Sequence, residues 1–370
     1  MRKSSPVLTM EQLAKELQVS RRVVSAVLND RCRELRVSDA TRNRVREYLE
    51  SSGYVRSKSA LQLKNGGHND QIGILYCGRF IDLEYLTASL SILTGEIRRR
   101  CVLSEITGVE PEQLYAGVSE YIGKGVRKLI WIHANTAHEE YQYAKKLFPL
   151  FQHLDKVVIF KFDFLHSELE KAYLESGVEL VGFDSEKSYR EAAALFLRLG
   201  HRAVALNDID RVSGAPLPGN ERLLTAFEES GLKVFGVQPP ADTPADEVPR
   251  KVAEAIAELY WREGVEAAFI RNDLLAAQIM PQLAEHGIRV PEDVALIGFS
   301  GSPYSRYLPV PLTTFEHPVE EMCRCTMELL DEKKTPESAR CHIFENKLVL
   351  RQSHGFLHRE QQCERKKDEE

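Results

Sequence analysis

Between residues 8 and 52, apolar positions recur three and four apart in three short runs. Leu13, Ala14 and Leu17 make the stripe of a helix over residues 10–17, opened by a Thr9–Gln12 capping box. Only Gln18, Val19 and Ser20 separate it from a second helix over residues 21–29. Ser20 caps that helix, and Val23, Val24, Val27 and Leu28 turn inward. Ser38 caps a third, over residues 39–52, with Val45, Tyr48 and Leu49 inward and Gly53 ending it. The pattern predicts a small all-α head.

A polar stretch follows and ends in NGGHND, where Gly66 and Gly67 read as a linker. The periodicity then changes. Short apolar runs (QIGILYC, VRKLIWIHA, KVVIFKF, VELVGFD, RAVALND, AAFIRND, VALIGFS) alternate with helical segments near residues 188–199 and 221–230 and others. Apolar strands alternating with helices predict parallel α/β layers, about six strand–helix units to each of two doubly wound lobes. Ligands of such sheets bind at the carboxyl ends of the strands. The expected domains are a head over residues 1–55, a linker over 56–70, a two-lobed body over 71–356 and a charged, disordered tail over 357–370.

Composition adds constraints. With 370 residues, 43% hydrophobic and 28% charged, the chain can form several folded cores. It lacks an apolar run long enough to span a membrane and lacks a signal-peptide pattern, so a cytoplasmic location with no membrane partner is expected. Seven dispersed cysteines point to reduced thiols; Cys323–Arg324–Cys325 is a C-x-C without a second pair at zinc spacing, so no metal site is expected. Charge is uneven. Residues 1–64 hold fourteen Lys/Arg and seven Asp/Glu, or +7, leaving −13 for the rest of a chain whose net charge is −6. A basic head on an acidic body suits a polyanion partner, although a small basic terminal domain can also arise without one. Enzyme and cofactor signatures are missing. No phosphate loop is present, GFSGS has Ser302 where a nucleophile elbow needs its second glycine, and HANTAHEE is not H-E-x-x-H.

Two short helices joined by a tight turn, the second starting with Arg21–Arg22, have the layout of a helix-turn-helix. Its second helix enters the major groove by its N-terminal end, where arginine reads guanine. Ser20 and Ser25 can donate to phosphates. A solvated basic helix start is the simpler alternative. The motifs are more specific. Ala14 to Val19–Ser20, Val24–Ser25–Ala26–Val27–Leu28–Asn29, Val37–Ser38 to Thr41–Arg42–Asn43–Arg44–Val45 and Gly53–Tyr54 follow one another as in the LacI/GalR family of bacterial transcriptional regulators. LGHRAVAL, FIRNDLLA and GIRVPEDVALIGFSGSPYSRYLPVPLTTFEHPVEEM resemble that family's effector-domain landmarks, so the likeness runs from about Leu8 to Phe356.

The resemblance implies a helix-turn-helix domain, a two-lobed effector domain like a periplasmic binding protein, a homodimer and a pseudo-palindromic operator in double-stranded DNA. It places Asn29 at the DNA face. It makes SKSALQLK a hinge helix, with Ala60 and Leu63 at the minor groove, although Val55–Arg56–Ser57 replaces the family's usual R-P-N. For a small-molecule effector, a sugar being the family's usual class, it implies Phe80, Asn272 and Asp273. The family's ligand-clamping arginine falls on Leu223, with Arg222 one residue earlier. Other departures are the long RCRELR loop, Val23 and Ala26 at readout positions, Arg271 where a small residue is usual, and Ser300–Gly301 in place of an acidic pair. The expected function is a ligand-responsive repressor of carbohydrate-use genes and not an enzyme. A regulator with a non-sugar effector or a retired pocket, and a solute-binding module with an interaction head, remain the alternatives.

Overall fold

The structure is a computed structural model, and it describes residues 10–28, 32, 35, 37–52, 71–77, 83–100, 104–133, 146–161, 168–217, 220–332 and 339–355. Asn29, Ala60, Leu63 and Phe80 therefore lie outside the described residues. So do Thr9, the arginines of the RCRELR loop, the linker and the tail from residue 356.

The head has three helices, α1 (Met10–Glu16), α2 (Arg21–Leu28) and α3 (Asp39–Ser52). Leu13, Ala14, Leu17, Val24, Val27, Cys32, Val45 and Leu49 form one buried cluster, with Val19, Val37 and Tyr48 packed against it. The predicted stripes of α1 and α3 are thus the faces that meet, and in α2 Val24 and Val27 join them, whereas Val23 is half-buried outside the cluster and the Leu28 side chain lies outside the described residues. The caps hold as well. The Ser20 hydroxyl accepts from the Val23 amide (3.3 Å), and that of Ser38 from the Thr41 amide (3.2 Å). Gln18 turns the chain at φ 50°, a left-handed conformation without a glycine to ease it. The Arg44 guanidinium reaches back to the Leu17 carbonyl (3.2 Å) and closes the end of the first turn.

The body divides into two units. The first has β1 (Ile72–Cys77), β2 (Ser104–Val109), β3 (Lys128–His133), β4 (Lys156–Lys161) and β5 (Glu179–Phe183) in the order β5-β4-β3-β1-β2, all parallel. Its helices are α4 (Leu83–Arg99), α5 (Leu114–Gly123), the single turn α6 (Phe148–Phe151) and α7 (Glu168–Glu175). This unit continues to Val181 and then takes back Met322–His342. The central β4 and β5 are buried at every position, as the unbroken apolar runs predict.

The second unit holds Gly182–Glu321 and resumes at Ile343. Its helices are α8 (Glu186–Leu199), α9 (Glu221–Glu229), α10 (Val248–Glu263) and α11 (Asp273–Glu285). Its sheet runs β7-β6-β8-β9, from β6 (Ala203–Asp210), β7 (Lys233–Gln238), β8 (Ala267–Ile270) and β9 (Ala295–Gly298), all parallel. The chain leaves β6 for β7 on one side and returns to β8 on the other. That reversal makes the carboxyl ends of β6 and β8 the switch point where such sheets bind ligands.

The structure departs from the predicted pattern in two ways. β2 and β7 were not predicted, and the six units expected of each lobe reduce to four parallel strands in the second. Both missed strands lie at sheet edges and are largely half-exposed, so neither carries an unbroken apolar run. The remaining strands are too short to show a period: β10 (Thr314–Glu316) pairs with β12 (Lys347–Val349), and β11 (Cys341–Phe344) edges the first sheet beside β5. The last helix, α12 (Val319–Leu329), carries the C-x-C. Cys323 is buried, and burial pushes the half-buried Cys325 thiol up to about 11, which disfavours the thiolate a metal would need.

Because Leu13 is fully buried at the centre of a head this small, Leu13→Ala should cost about 2–5 kcal/mol. Differential scanning calorimetry should show the head's transition lowered or lost and those of the α/β units unmoved; a melt identical to wild type would remove Leu13 from the core.

Candidate functional site

At the head, Arg21 and Arg22 open α2 and are both exposed, and Ser25 one turn on is half-buried. Ser20 is exposed but already serves as the cap. Four of the residues predicted for DNA thus sit together on one helix start. Ala26, which stands at a readout position by sequence, is 3% exposed and packs inward here.

The effector residues are placed otherwise than expected. Asp273 is fully buried. Its carboxylate accepts from the backbone amides of Phe299 (3.0 Å), Ser300 (3.1 Å) and Ser302 (2.9 Å) and from the Thr314 hydroxyl (2.8 Å). Burial lifts its carboxyl above the usual carboxylate range against the pull of these four donors. An oxygen so engaged is not offered to a ligand in this conformation. Asn272 is the N-cap of α11, its side chain accepting from the Leu275 amide (2.9 Å). Arg222 donates to Asp184 (2.6 Å) and to Glu186 (2.6 and 3.1 Å). With Arg190 it holds the Glu186 carboxyl below its usual range. Leu223 is fully buried, so the clamping position serves the core. Phe80 is outside the described residues.

What does gather at the β6/β8 switch point is a set the sequence reading did not assemble. Asn207 and Asp208 end the apolar part of β6. The Asn207 side-chain carbonyl accepts from the Arg271 backbone amide across the sheet (2.7 Å). Asp208 has φ 64°, and its carboxylate meets the Arg271 guanidinium (2.9 Å). The same guanidinium donates to the side-chain carbonyl of Asn220, the N-cap residue of α9. It lies over the rings of Tyr189 (5.7 Å to the centroid) and Phe299 (5.9 Å). Two signals were legible in advance: a polar Asn–Asp pair closing an apolar strand, and an arginine at a place usually small.

Behind Phe299 the loop is fixed by His317. Its ring stacks on Phe183 at 4.2 Å and 5°, and its Nε2 lies 2.9 Å from the Phe299 carbonyl oxygen and its Nδ1 2.6 Å from the Asn346 side-chain carbonyl oxygen. Burial lowers its pKa to about 4, so the ring is neutral at pH 7. Among the described residues, no group of three His, Cys, Asp or Glu is placed to hold a metal, and no helix is long and apolar enough to cross a membrane.

A family model described as a periplasmic binding protein-like domain matches residues 193–354. The chain is 26% identical over 379 residues to the HTH-type transcriptional repressor MelR of Bacillus subtilis (strain 168), covering 96% of this chain and 99% of that one. It is 27% identical over 363 residues to the HTH-type transcriptional regulator CelR of Thermobifida fusca, covering 93% and 98%. A match to the repressor PurR of Vibrio atlanticus (strain LGP32), 26% identical, spans 49% of this chain and only 55% of that relative. Among solved structures, a CelR–cellobiose complex aligns over 93% of this chain and 99% of that one, with a TM-score of 0.59 and 21% identity. The lac repressor dimer bound to operator and an anti-inducer aligns over 94% and 99%, with a TM-score of 0.59 and 17% identity.

Two outcomes follow from the site. Asp273→Asn turns one of the four acceptor contacts into opposed donors and should cost about 1–3 kcal/mol in urea unfolding; an unchanged midpoint would mean that the loop does not need the carboxylate. For His317 the unfolded ring binds a proton below pH 6.5, whereas the folded ring refuses it down to about 4. Stability should therefore rise with pH across that window and fall by about 3 kcal/mol on acidification through it. His317→Phe, which keeps the stack on Phe183, should flatten this slope; urea unfolding at steps from pH 4 to 7 checks it.

Proposed function

We infer that this chain, a member of the LacI/GalR family of bacterial transcriptional regulators, is a sequence-specific DNA-binding repressor whose body answers to a small molecule. The observation that carries the reading is the exposed Arg21–Arg22 pair at the capped start of α2, held on a three-helix core. A helix presented this way puts two planar, bidentate donors where base edges lie. The alignment with MelR and CelR over nearly their whole lengths supports it, because head and body match together.

The chain acts as a homodimer on a pseudo-palindrome, with Ser20, Arg21, Arg22, Ser25 and Asn29 at the major groove and Ala60 and Leu63 at the minor groove. It works in the cytoplasm and is not an enzyme. The expected domains, a head to residue 55, a linker to 70 and a two-lobed body to 356, follow the same reading. The effector is a carbohydrate: the cellobiose in one aligned structure supports that class. A ligand that favours one state of the body over the other shifts DNA affinity by its difference in binding the two, and a coupling of about 1–3 kcal/mol suffices.

The test is selection of bound duplexes from a random library at two salt concentrations, using the full chain. An enriched pseudo-palindrome supports the reading. Steeply salt-dependent binding without an enriched sequence would leave the head a polyanion anchor only. On the selected duplex, Arg21→Ala and Arg22→Ala should each lose about 1–3 kcal/mol of discrimination against single-base changes in competition binding; unchanged preference in both would remove these side chains from the readout.

A further inference from the structure

The guanidinium of Arg271 is surrounded as a bound ligand would be. It has a carboxylate partner in Asp208 (2.9 Å), an amide carbonyl in Asn220 and two aromatic faces, those of Tyr189 and Phe299. These four groups come from four elements, the ends of β6 and β9, the start of α9 and the body of α8. Their meeting point is the switch point of the second sheet. A charged edge facing aromatic walls is the usual construction of a cation site. The backbone is also bent to build it. Asp208 is one of two non-glycine residues with positive φ among those described, and such outliers persist where the surroundings enforce them. Arg271 follows directly on β8, its backbone amide pinned to Asn207 (2.7 Å).

We propose that Arg271 is an internal ligand: the second unit contains a guanidinium-binding site, and the chain's own arginine fills it. The site suits a delocalised cation over a compact one, because the charge centre lies over two rings while only one nitrogen is engaged by Asp208 and Asn220. A neutral effector entering here must displace Arg271 or bind beside it, so the arginine sets how readily the unit takes a free molecule. The inference takes the effector body of the proposed repressor as its setting. Its test reads ligand uptake and not DNA binding, so the two stand or fall separately.

Arg271→Ala in the full chain should leave the cage empty and able to take methylguanidinium from solution. At about five times its Kd the cation should raise the melting temperature of the second unit by about 2–4 °C. Methylammonium at the same concentration should raise it less, because its compact, strongly hydrated charge gains less from the two rings, and wild type should respond to neither. No shift in a folded Arg271→Ala, or equal shifts with both cations, overturns the proposal. If that variant does not fold, arginine side-chain NMR of wild type decides. A caged Arg271 shows separate, slowly exchanging Nη resonances that collapse in Asp208→Asn. Averaged Nη signals in wild type, or signals unaffected by Asp208→Asn, overturn it.

Discussion

The Asp273 carboxylate is the point on which the second unit is organised. A charged oxygen pair with no exposure is costly to bury unless donors surround it. Here the donors are three amides of one short loop and a hydroxyl of β10, so satisfying the carboxylate also fixes the loop. The fit is close. A Cβ on Gly298 would fall 2.2 Å from Asp273 Oδ1, and Gly301 takes a φ of 62° that glycine adopts without strain. The loop sets Phe299, and Phe299 serves two neighbours at once: its ring faces the Arg271 guanidinium and its carbonyl meets His317. A helix start, a loop, a strand and the Arg271 site are thus tied to one acid.

This arrangement explains which parts of the molecule were legible in the sequence. The head was, nearly to the residue, because its information is local: a capping serine and a stripe of apolar side chains specify a short helix without distant partners. The inner strands were legible for a similar reason, since β4 and β5 are buried along their whole lengths. The half-exposed edges β2 and β7 lack that mark.

The candidate site was legible only in part. A motif can place Asn272 and Asp273 at the right point in the chain, but whether an acid faces a ligand or its own backbone depends on residues 26 to 41 positions away. Asn272 shows the same ambiguity, because an asparagine before a helix is equally a cap and a ligand group. Arg222 went to Asp184 and Glu186, partners 38 and 36 positions distant that no local pattern announces. Arg271 was visible as an oddity, but its role came into view only when Asp208, Asn220, Tyr189 and Phe299 were brought around it.

The order of assembly in the first sheet has a consequence for how the protein is made. Glu179, on β5, is buried with Lys156 (3.0 Å) and also accepts from the Arg340 amide (2.8 Å), 161 positions later. On the ribosome β5 therefore emerges long before β11, the strand that covers its edge. Throughout synthesis of the second unit, that edge and one face of a buried carboxylate wait for a partner still inside the translation machinery. An open strand edge is the feature by which nascent chains stick to one another. The first unit, although its sequence comes first, thus completes its sheet only after most of the second unit has been made.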